Sequence, residues 1–90
     1  MTFLQQIDEL KQTWKVLLPS IAAPPDTTFA RWVNDFGYES CETAIRRVPW
    51  RFRSELNNNQ RIEPDHAHKF VTQTMIGLRK RNAQPARSRT

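Results

Sequence analysis

From Phe3 onward, apolar side chains return every three or four residues: Phe3, Ile7, Leu10, Trp14 and Leu17, with Leu4 and Leu18 beside them. Gln6, Asp8, Glu9, Lys11, Gln12 and Lys15 fill the other side. This spacing matches the 3.6-residue turn and predicts an amphipathic helix over Thr2 to Leu18 with one face in a core. Pro19 ends it. The same stripe, through Phe3, Ile7, Leu10 and Trp14, is also the candidate seam for a homo-oligomer.

The pattern then breaks at "SIAAPPD", where Pro24 and Pro25 hold the chain extended and Asp26 offers a helix N-cap. Ile21 is the one residue of this connector expected to turn back into the core. A second helix follows over about Thr27 to Phe36, with Phe29, Trp32, Val33 and Phe36 at i, i+3, i+4 and i+7. Gly37 suits the left-handed residue that closes it. Tyr38, Cys41, Ile45, Val48 and Phe52 carry a third helical stripe straight through Pro49. A proline inside a helix removes one hydrogen bond and costs about 3 kcal/mol. The segment must therefore either end near Arg47 with a short piece after it, or continue through a kink; the unbroken period favours a kink or a tight restart. "NNNQ" at Asn57 to Gln60 is turn chemistry. The last helix is predicted over about Pro64 to Arg81, with Ala67, Phe70, Val71, Thr74, Met75 and Leu78 inward. No segment alternates with the period of a strand. The expected fold is all-α, a bundle of four to five helices over residues 1–81, followed by a flexible, disordered basic tail over residues 82–90.

Charge changes this picture more than composition does. The net charge is +5, but residues 1–45 hold three Lys/Arg against six acids, a net −3. Residues 46–90 hold eleven against Glu55, Glu63 and Asp65, a net +8. Such a division points to a polyanion as partner of the second half. A single cysteine excludes an internal disulfide, and Cys41 stands at a core position of its helix. His66 and His68 are two residues apart and leave a helix on different sides, which argues against a shared metal. The start "MTFLQQIDELK" has no basic n-region, and no apolar run is long enough for a bilayer, so a cytoplasmic protein without a membrane partner is expected.

There is no Gly-rich phosphate loop, no metal-ligand cluster and no nucleophile beside a base, so neither an enzyme nor a cofactor is expected. A single glycine between the second and third helices invites a test as a helix-turn-helix. That frame begins at Phe29 and requires a small residue at Val33 and a buried one at Thr43, and it turns Glu39 and Glu42 towards phosphates. All of this speaks against the motif.

What remains is "RRVPWRFR", in which Arg46, Arg47, Arg51 and Arg53 surround Trp50. Arginine forks suit phosphate oxygens, and guanidinium planes stack on bases. Trp50 lies off the stripe of Val48 and Phe52. Packing economy favours an indole folded over the kink at Pro49, closing the core. Left exposed, it is a stacking platform for nucleic acid.

"FARWVNDFGYESCETAI" followed by "KFVTQTMIGLRK" resembles the C-terminal helical module of DnaD-like replication-initiation proteins, through Trp32, Phe36, Gly37, Ala44, Ile45, Phe70 and Val71. The sequence departs from that module at "ESCE" and at Pro49. The resemblance implies binding to DNA and to a replicative helicase or initiator. It also implies DNA contacts from the last helix and tail, through Lys69, Arg79, Lys80, Arg81, Arg87 and Arg89. The leading expectation is thus a small DNA-binding accessory protein of replication or mobile-element type, preferring DNA over RNA as its nucleic acid. The competing one is a protein-interaction module, an adaptor or inhibitor of a bacterial or phage protein.

Overall fold

A computed structural model of the chain describes residues 1–83, with side chains as far as residue 80. Five helices account for it: α1 Phe3–Leu17, α2 Asp26–Phe36, α3 Tyr38–Arg51, α4 Arg53–Asn57 and α5 Pro64–Ala83. The fold is all-α, and there is no strand among the described residues. The expected tail over residues 82–90 lies almost entirely outside them.

Each boundary has a local cause. Thr2 caps α1 through a reciprocal pair with Gln5, in which the Gln5 amide donates to Thr2 Oγ1 at 3.2 Å and the Thr2 amide to Gln5 Oε1 at 2.8 Å. Asp26 does not act as the N-cap of α2. It is the helix's first residue, and its carboxylate turns to Lys11 Nζ at 3.1 Å, tying α2 to α1. Gly37 joins α2 to α3 at φ 91°, ψ 155°, a conformation open only to glycine. The turn after α4 closes with Asn59 at φ 55°; the Gln60 amide reaches Glu55 O at 2.8 Å and the Asn59 amide reaches Leu56 O at 3.3 Å. This double closure satisfies the last carbonyls of α4.

The core draws on every stripe. Ile7, Leu10 and Trp14 come from α1, Phe29, Trp32 and Val33 from α2, Cys41, Ala44, Ile45 and Val48 from α3, and Ala67, Val71 and Met75 from α5. Three of the four residues of the candidate oligomer seam, Ile7, Leu10 and Trp14, are therefore consumed within the monomer, leaving only Phe3 half-exposed. Ile21 does return to the core, held where the Trp14 indole Nε1 donates to its carbonyl at 2.9 Å.

α3 and α5 form the central pair, and they run antiparallel: Phe70 meets Phe52 just beyond the end of α3, while Arg79 meets Phe36 just before its start. α3 passes through Pro49 without ending and stops at Arg51; Phe52 then turns the chain into α4. The helix thus extends beyond Arg47 and also restarts.

Candidate nucleic-acid interface

Because Cys41, Ala44, Ile45 and Val48 point into the core, residues half a turn away on α3 must point out. Arg46, Arg47 and Trp50 do so; Trp50 follows them by four and three residues, the spacings that make helix-surface neighbours. Trp50 is 70% exposed, which overturns the expectation that it closes the core. The physical reason is that α3 stays helical through Pro49 and carries the indole to the outer side. Phe52 closes the core in its place, edge-on to Phe70 at 6.1 Å.

The indole is not left alone. The Arg53 guanidinium lies 4.2 Å from its ring centroid, and Arg53 Nη1 donates to the Trp50 carbonyl at 3.1 Å. A short helix that restarts immediately after Phe52 brings these two residues together. A cation over a tryptophan face at the surface is worth about 0.5–1 kcal/mol, enough to hold an arrangement but not to bury it. Arg46 is held by Glu42 at 3.4 Å, one turn back. Arg47 and Arg51 make no ion pair among the described residues.

Arg51 faces away from this cluster. It lines a groove between the end of α3 and α5, opposite Lys69, with Phe52 and Phe70 as apolar walls. Lys69 also lines a larger groove of about 540 Å³ between α2 and α5, together with Arg31, Trp32, Phe36 and His68. His68 is wedged between two tryptophans, 5.4 Å from the Trp14 ring and 6.4 Å from the Trp32 ring, with Nε2 3.1 Å from Ala22 O. Trp32 Nε1 donates to Thr72 Oγ1 at 3.1 Å, fixing α2 against α5.

The basic end of α5 does not join the α3 cluster. Ten residues, about 15 Å of helix, separate Arg79 from Lys69. Arg79 is committed locally: Nη1 donates to Asp35 O at 3.4 Å, and its guanidinium stacks 4.6 Å over Phe36, closing the carbonyl end of α2. Lys80 is exposed. The side chain of Arg81, and Arg87 and Arg89 altogether, lie outside the described residues.

The helix-turn-helix frame fails as the sequence suggested, since Thr43, the position that must be buried, is exposed. Cys41 is fully buried, and burial pushes its thiol up from 9.0 to about 12, so it is a core residue and no nucleophile. Tyr38 is raised first by burial and then by the carboxylates of Glu42 and Glu9. No group of three metal-ligating side chains occurs among the described residues, and no helix there is long and apolar enough to cross a membrane. Sequence reasoning missed Arg31, which sits in the acidic half of the chain, because nothing in the chain's local pattern reveals a neighbour 38 residues away.

No family model matches the chain, and neither a curated protein nor a solved structure matches it.

Proposed function

We propose that the protein binds DNA through arginine–phosphate contacts centred on the outer face of α3 and α4, as a small accessory factor of replication or of a mobile element. The observation that carries this reading is the exposed Trp50 with Arg53 stacked upon it, flanked by Arg46 and Arg47. A 90-residue chain has little apolar surface to spare for its core. Leaving an indole 70% in water forgoes core burial that the same side chain would otherwise supply. Cation and π-face together are what phosphate and base require. The +8 charge of residues 46–90 supplies the long-range attraction. The sequence resemblance to DnaD-like modules supports DNA over RNA and a replicative helicase or initiator as protein partner.

Affinity of this kind falls steeply with salt and depends weakly on sequence. Fluorescence anisotropy with labelled single- and double-stranded DNA at several salt concentrations tests it. Binding at low salt that weakens with a negative log–log slope is expected; no binding at low salt, or a flat salt response, refutes it.

A second reading, a protein-interaction module, is favoured by the apolar side chains that α1 leaves in water: Leu4 at 72% and Val16 at 76% exposed. Capture of one protein partner that survives nuclease treatment and is lost in Leu4→Ser or Val16→Ser favours it over the DNA reading.

A further inference from the structure

Two grooves flank α5, and Lys69 stands on the ridge between them. On one side it faces Arg31 across the α2–α5 groove, whose floor carries Trp32 and Phe36. On the other it faces Arg51 across the α3–α5 groove, walled by Phe52 and Phe70. Arg31, Lys69 and Arg51 are exposed and make no ion pair among the described residues. Arg51 adjoins Trp50 in the chain, and Trp50 carries Arg53 on its ring. Three cations from three different helices thus border two adjoining grooves, and a strand leaving the second must round the edge of α3 at Arg51 to reach the exposed indole on the helix's outer face.

We infer that single-stranded DNA lies along a track running from Arg31 over Lys69 to Arg51 and ends stacked on Trp50. This rests on the DNA-binding reading and adds to it a path, a strand type and a residue, Arg31, from the acidic half of the chain. The strand type follows from what lies between the cations. Half-buried Phe36 and Phe70 line the grooves as apolar surface, which suits unpaired bases and offers nothing to a duplex whose bases are paired inside. Each groove also holds one carboxylate, Asp35 in the first and Glu55 in the second. These moderate the attraction, and they give the track a signature of opposite sign.

The experiment is a titration of the full chain with labelled oligo(dT), and with a duplex of equal length, over a salt series. Trp50→Ala is expected to weaken oligo(dT) binding about 5- to 160-fold, the range of one base–aromatic stack. Arg31→Ala is expected to weaken it about threefold at moderate salt and to lower the salt slope by about 0.7, one phosphate contact on a single strand. Asp35→Asn is expected to tighten binding. Lys15→Ala removes the same charge as Arg31→Ala, but from a position on α1 that lines neither groove; it is expected to leave the slope unchanged. Equal effects of Arg31→Ala and Lys15→Ala overturn the track while leaving general DNA binding intact, as does tighter binding of the duplex than of oligo(dT). A wild-type chain that binds neither DNA at low salt overturns the DNA reading itself, and the track with it.

Discussion

Replacing Trp14 by phenylalanine removes one hydrogen bond and part of one ring at the centre of the molecule, and the loss can be worked out from its surroundings. Trp14 is 1% exposed. Its Nε1 donates to Ile21 O at 2.9 Å, and its ring meets Phe29 edge-on at 6.2 Å and His68 at 5.4 Å. Ile21 is itself 3% exposed, so phenylalanine strands its carbonyl away from water. An unsatisfied buried group costs about 1–3 kcal/mol. The smaller ring leaves roughly 40 Å³ unfilled, which adds about 1 kcal/mol at the usual cavity cost. The expected loss is about 2–4 kcal/mol, a fall in Tm on the order of 10–30 °C for a domain of this size. Urea and thermal unfolding followed by circular dichroism at 222 nm measure it. Trp50→Phe is the internal control, because Trp50 is 70% exposed and its loss should stay within about 0.5 kcal/mol. A Trp14→Phe loss below about 1 kcal/mol, or a Trp50→Phe loss as large, refutes the assignment of the two indoles.

Three further outcomes follow from named positions. Gly37→Ala should destabilise by about 1–3 kcal/mol in a urea titration, because φ 91°, ψ 155° is strained for any residue with a Cβ even though no atom stands within 4 Å of the added carbon. Pro49→Ala should stabilise by about 1–2 kcal/mol, since it restores a donor inside α3 at the loss of some half-buried ring contact; a lower Tm would show that the proline is required by packing. Cys41 should resist iodoacetamide in the native state at pH 8 and react on unfolding, read by mass spectrometry. Its thiol is held above the usual 9.0, at about 12, so its contribution to stability is complete below pH 9 and is lost as the pH rises towards 12.

The hydrophobic periods of the sequence determined where helices form and which side of each is buried. Apart from Phe3, the stripes of α1, α2, α3 and α5 lie inward or half-buried as their spacing dictates, because 3.6-residue periodicity is a local property of the chain. Gly37 was legible for the same reason: a tight turn between two stripes needs a conformation that one residue type adopts freely. The fate of Trp50 was not local. Both outcomes at Pro49 keep the helical period and put Phe52 inward, where it meets Phe70, a residue 18 positions away. What differs is whether α3 continues through Pro49, and because it does, the indole is carried outward. Arg79 and Lys69 look alike in the sequence, two cations on one helix. Only the antiparallel packing of α5 on α3 sends one to the end of α2 and leaves the other between two grooves. Which cations stand together is a long-range property, and the tertiary structure alone decided it.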